Sequence, residues 1–159
     1  MAVFLRVRLK RLSKRQDSLV RAARTILDMV GEPKSELSVE LVGDGRMRRL
    51  NRVYRGKDRT TDVLAFAMRE TKSPCRRLLG DVVISVPTAM RQAKEAGRSL
   101  NEEIAALLVH GVLHLCGYDH ERNEREAARM RRRERAVLRA MEAVPCLLKR
   151  RARQAKGRL

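Results

Sequence analysis

The stretch Leu100 to Leu115, LNEEIAALLVHGVLHL, constrains this chain more than any other. It is apolar nearly all the way round, with Leu100, Ile104, Leu107, Leu108 and Leu115 supplying bulk. A helix of that kind has no face to give to water and has to be buried. Its ends are equally legible. Ser99 and Glu102 form the S-x-x-E pattern of a capping box, which starts a helix, and Gly117 supplies its stop.

Other elements must therefore wrap this helix, and the sequence provides them on both sides. Val3, Leu5, Val7 and Leu9 alternate with Phe4, Arg6 and Arg8, a period of two that predicts a strand. Asp17 precedes Leu19, Val20, Ala23, Ile26, Leu27 and Val30 at helical spacing, closed by Gly31 and Pro33. Leu37, Val39 and Leu41 form a second alternating strand, and Arg46 to Tyr54 reads as a short basic helix after Gly43-Asp44-Gly45. DVLAFAM (62–68) and GDVVISV (80–86) predict two further strands, and Pro87 opens a helix that Gly97 closes. A long charged helix from about Glu121 to Ala143 ends before Pro145. Strands interspersed with helices predict an α/β (α+β) fold with one small mixed sheet of about four strands under five or six helices. Residues 1–143 form one metallohydrolase-like domain in this reading, and 144–159 a flexible basic tail.

Composition narrows the class. A chain of 159 residues suits one domain with a real core. With two Tyr, two Phe and no Trp, that core must be aliphatic. No apolar run approaches the roughly 18 residues of a membrane span, and arginines interrupt the N-terminus too early for a signal peptide. Cys75, Cys116 and Cys146 are widely spaced and odd in number, which suits a reducing cytoplasm rather than a disulfide framework. The 37 basic and 19 acidic residues give a net charge of +18. Lys149, Arg150 and Arg151 lie in a C-terminal stretch, 145–159, with no acid at all. Such a field attracts polyanions and points to nucleic acid. The tail lacks the bulky apolar face of a membrane-surface helix.

All three histidines fall within HGVLHLCGYDH. His110 and His114, four residues apart, lie on one helix face. A positive φ at Gly117 lets the chain turn back and bring His120 to them. Three imidazoles so gathered suit Zn²⁺, one per chain, with the fourth corner left for water. The site then sits at the end of the central buried helix. A zinc peptidase carries Glu after the first His; here that position is Gly111. Asp119 has two readings of equal weight, a turn residue or a carboxylate that orients a histidine or accepts a proton. Upstream, Arg52, Arg55, Lys57 and Arg59 cluster in a loop suited to phosphate oxygens and to developing transition-state charge.

NRVYRGKDRTTDVLAF, LGDVVIS and HGVLHLCGYDH, in this order and spacing, resemble the YbeY family of bacterial rRNA maturation endoribonucleases. The resemblance runs from about residue 37 to 142. It implies a zinc-dependent, single-strand-specific RNA hydrolase acting in rRNA maturation, including the 3′ end of small-subunit rRNA, and in ribosome quality control. It implies a small mixed sheet with helices, metal at His110, His114 and His120, a functional arginine at Arg55, and the small ribosomal subunit and the GTPase Era as partners. Ala65-Phe66-Ala67 departs from the family's usual Ser-Phe-Pro, and loss of that proline is expected to loosen the cleft wall without touching a ligand. Oligomeric state is not legible.

Two mechanisms stay open on the residues alone. Water activated by the metal gives a 5′- or 3′-phosphate directly, whereas attack by the RNA 2′-hydroxyl passes through a cyclic phosphate. A non-catalytic ribosome-assembly factor with a structural zinc is the rival from another class. A hydrolase of small substrates or peptides gives no reason for a charge of +18.

Overall fold

Period-two alternation sorts the strand side chains onto two faces of a sheet, and each face carries its own helices. The computed structural model describes residues 2–7, 16–68 and 77–142. Cys75, Cys146, Lys149, Arg150, Arg151 and the whole of the expected tail lie outside those residues. Strands β1 (Ala2–Val7), β2 (Glu36–Val42), β3 (Val63–Ala67) and β4 (Leu78–Ser85) form a mixed sheet in the order β1-β2-β4-β3. β1, β2 and β4 run parallel, and β3 closes one edge antiparallel to β4. The helices are α1 (Gln16–Met29), α2 (Asp44–Arg55), α3 (Val86–Ala96), α4 (Leu100–Leu115) and α5 (Glu124–Glu142). Four strands and five helices among the described residues make the α+β fold, expected with about four strands and five or six helices.

On the larger face, Leu37, Val39 and Leu41 of β2 and Val82 and Ile84 of β4 meet Ile26 and Leu27 of α1 and Leu108, Val112 and Leu113 of α4 in one buried cluster. Leu79 joins them because an extra residue lies between the pairings Glu36↔Leu78 and Leu37↔Gly80, a bulge that turns Leu79 to that face. On the smaller face, Val42, Leu64 and Val83 bury Met47 of α2, with Leu50 and Phe66 packed around them. β3 pairs with β4 along its whole length, through Ala67↔Gly80. An alanine at 67 keeps a backbone donor that proline lacks.

α4 is the element the rest enclose. Ser99 Oγ accepts the Glu102 amide at 3.1 Å, and Glu102 Oε1 accepts the Ser99 amide at 3.3 Å, completing the expected capping box. At the other end Gly117 (φ 100°) places its amide on His114 O and that of Tyr118 on Leu113 O, a Schellman cap. Among the boundaries that differ from the sequence reading are two helix starts. α2 begins at Asp44 rather than Arg46, because Asp44 is itself held in the first turn by partners from elsewhere in the fold. α5 begins at Glu124 rather than Glu121, because Asn123 Oδ1 accepts the Glu126 amide at 2.8 Å and fixes the start there.

Gly111 is where α4 comes closest to the sheet. A methyl group at this position would stand 2.8 Å from Val82 Cγ1 and 3.0 Å from Cγ2. Gly111→Ala is expected to lower the unfolding free energy by about 1–3 kcal/mol through overpacking, despite alanine's higher helix propensity. Denaturant titration of Gly111→Ala, Val82→Ala and the double variant checks this: the two substitutions must show favourable coupling, and simple additivity would refute the contact.

Candidate metal centre and its cleft

His110 and His114 project from the last two turns of α4, and the Schellman turn carries the chain round to His120. His114 Nε2 lies 3.2 Å from His110 Nε2 and 3.0 Å from His120 Nδ1. The rings are mutually steep, at 73°, 58° and 66°, so they meet as three blades around one point rather than as a stack. Tetrahedral coordination with Zn–N bonds of about 2.0–2.1 Å sets ligand nitrogens about 3.3 Å apart. The donor set fits such an ion. A ring nitrogen carries either a proton or a lone pair, so hydrogen bonding alone serves this three-nitrogen cluster poorly.

The supporting groups fix which nitrogens face inward. His110 Nδ1 is 2.5 Å from Glu134 Oε1 of α5, which leaves Nε2 as the nitrogen turned to the other rings. Glu134 is the candidate site residue the sequence reading missed. Its signal was present as the one acid in the run Arg131-Arg132-Arg133-Glu134-Arg135, but nothing local says that it faces a histidine. Burial pushes His114 below the usual histidine pKa, and the neighbouring His110 and His120 push the same way. Asp119 and a hydrogen bond to the Tyr118 backbone oppose them. The result favours neutral imidazole, the form that binds metal. Asp119 Oδ1 accepts the Glu121 amide at 2.9 Å, and its carboxylate lines the same cleft as the histidines.

That cleft encloses about 920 Å³. One wall is the α4 end and the turn after it, and the facing wall is β3 with the loop that follows α2. Arg55, Lys57 and Arg59 line it. Arg55 Nη2 donates to Ala65 O at 3.0 Å, with its guanidinium 5.9 Å from the Phe66 ring centre. Arg52 turns elsewhere: its Nη1 is 3.9 Å from Asp58 Oδ1, beside the two-pronged Arg48–Asp58 pair at 2.9 and 3.2 Å. The loop is pinned from below by buried Asn51, whose Nδ2 donates to Arg59 O at 2.8 Å. Asp44 anchors it from behind. Its Oδ1 accepts the hydroxyls of Ser85 (2.7 Å), Thr88 (2.7 Å) and Thr60 (3.2 Å), and its Oδ2 lies 3.0 Å from Arg91 Nη1. Burial alone would raise the Asp44 pKa, but the hydrogen bonds from Ser85, Thr88 and Arg91, with the Arg91 charge, bring it down to about 2.

A family model described as Endoribonuclease YbeY matches residues 6–142 of the chain. The endoribonuclease YbeY of Aquifex aeolicus is 46% identical over 132 residues, covering 83% of this chain and 87% of the relative. That of Geobacter sulfurreducens is 49% identical over 127 residues, covering 78% and 85%. In fold the chain is similar to the solution structure of TM1509 from Thermotoga maritima, with a TM-score of 0.60 and 21% identity, covering 90% of this chain and 93% of that one.

Glu134→Gln is expected to weaken zinc binding about 10–100-fold, read by competition with a chromophoric chelator, while the metal-free protein stays folded. Wild-type affinity in that variant would remove Glu134 from the site. For Asp44, the folded-state pKa lies below the ordinary 3.8, so its ionised form stabilises the fold. The stability advantage over Asp44→Asn is expected to be complete above about pH 4 and to be lost as pH falls through about 2. Parallel unfolding curves at pH 6 and pH 3 measure it, and a gap that widens on acidification would contradict the assignment.

Proposed function

We propose that this chain, which belongs to the Endoribonuclease YbeY family, cuts single-stranded precursor rRNA at a zinc site formed by His110, His114 and His120. As a member of that family it is an endoribonuclease. The convergence of three imidazole nitrogens in a cleft lined by Arg55, Lys57 and Arg59 carries the reading. When bound there, zinc supplies a Lewis acid and draws the pKa of water from 15.7 towards about 7.

The chain's own residues supply the remainder. Glu134 keeps the His110 ring oriented with Nε2 inward. Arg55, anchored through Nη2 on Ala65 O, turns its other donors to the phosphate and offsets the charge gathered there in the transition state. Lys57 and Arg59 hold the neighbouring phosphates. To Asp119, next to His120, we assign the proton of the attacking oxygen. A purely structural zinc is the weaker account, since ligands ten residues apart at most close only a short loop, where a staple removes little chain entropy. Among the described residues no helix is long and apolar enough to cross a membrane. The proposed partners are precursor rRNA of the small subunit, that subunit itself and the GTPase Era, with ribosome quality control as the wider role.

Metal-loaded protein incubated with precursor small-subunit rRNA, followed by mapping of the ends, tests this. Cleavage near the 3′ end is expected for wild type. His114→Ala is expected to lose both zinc and cleavage, and Arg55→Glu to lose at least about 100-fold in kcat/KM with zinc retained. Full activity in Arg55→Glu would show that the phosphate lies elsewhere.

A further inference from the structure

Besides its three imidazoles, this chain has four aromatic side chains, Phe4, Tyr54, Phe66 and Tyr118. Three of them line the cleft that holds the histidines; Phe4 stands on β1, the opposite edge of the sheet from β3. The three are not equivalent. Tyr118 packs against the main core and carries the Arg129 guanidinium 5.0 Å from its centre. Phe66 packs against the cluster under α2 and carries that of Arg55. Tyr54 does neither: it is 64% exposed and touches Phe66 edge to face, with ring centres 5.2 Å apart at 63°. An aromatic ring left in water contributes little to the core, while contact with Phe66 restricts its motion.

We propose that Tyr54 is a specificity-determining residue of the nuclease cleft, offering its open face as a stacking post for the base of an unpaired nucleotide whose neighbouring phosphate lies on Arg55. The inference rests on the nuclease reading above and adds to it the group that selects the substrate. Tyr54 and Arg55 are consecutive on α2, so base and phosphate of one nucleotide step meet consecutive side chains. Phe66 backs both, touching the Tyr54 ring and lying under the Arg55 guanidinium. Every base has a π face, so such a post is tolerant of sequence. A base inside a duplex already has both faces covered by its neighbours, so the same post favours single strands.

The test uses full-length, zinc-loaded protein and a short single-stranded RNA carrying either 2-aminopurine or an abasic nucleotide at successive positions around the cut. Wild type and Tyr54→Phe are expected to quench 2-aminopurine at one position and to lose about 10-fold in KM when that position is abasic. Tyr54→Ala is expected to bind intact RNA about 10-fold more weakly, to show neither the quench nor the abasic penalty, and to keep its kcat. A Tyr54→Ala protein that cuts RNA with the wild-type KM and abasic profile overturns the stacking post and leaves the nuclease reading standing. A wild-type protein that binds zinc but cuts no RNA overturns both.

Discussion

The contact between α4 and β4 at Gly111 and Val82 fixes where everything in the cleft can be. With no side chain at 111, the helix axis drops onto the sheet until its backbone nearly touches Val82, and the rest of its circumference is covered by α1, α3 and α5. Interiors packed at this density do not rotate an element by small amounts without forcing voids or clashes elsewhere. The face bearing His110 and His114 is thereby aimed past the edge of the sheet at β3, whose carbonyl at Ala65 holds Arg55. The three histidines and Arg55 come from segments some fifty residues apart, yet both are referenced to the same two strands, β3 and β4.

Electrostatics act at two ranges in this cleft. At long range the net charge of +18 draws any polyanion, without regard to sequence or geometry. At short range much of that charge is already engaged: Arg48 and Arg52 face Asp58, Arg91 faces Asp44, and Arg98 pairs with Glu103. Arg55 differs, since its partner is a neutral carbonyl and no ion pair among the described residues cancels its charge. The acids are placed so that the loop is rigid and its outward-facing cations keep their charge. Glu134 follows a related logic behind His110, where one carboxylate in an arginine run serves an imidazole rather than a guanidinium.

The sequence was most legible where a single local interaction decides the outcome. Ser99 with Glu102 and Gly117 with Tyr118 bound α4, and each is a backbone-scale device complete within six residues. The imidazole spacing was legible for the same reason, because i and i+4 share a helix face whatever surrounds them. Glu134 was not, because its role depends on how α5 crosses α4, and no local pattern encodes a crossing. Asp44 was read as part of a glycine-rich break, since the hydroxyls of Ser85 and Thr88 that hold it lie some forty residues away. Arg52 was grouped with Arg55 as a phosphate-binding cation, and the positions of Asp58 beside one and Ala65 O beside the other separate them. Leu79 faces the main core through a bulge, which alternation alone assigns to the other face.

Gly111 also bears on the chemistry. In a zinc peptidase the residue after the first histidine is the glutamate that handles the proton. Here that position points at Val82 and has no room for a methyl group, so the packing that builds the site also bars a carboxylate from it. In the proposed reaction, proton transfer then falls to groups on the turn, where Asp119 and Glu121 line the cleft beside His120. Groups on an exposed turn are more hydrated than one on a buried helix, and a hydrated carboxylate is a weak base against an amide. In the proposed reaction, cations that carry the phosphate's negative charge lessen the demand on that base, and the facing wall presents Arg55, Lys57 and Arg59.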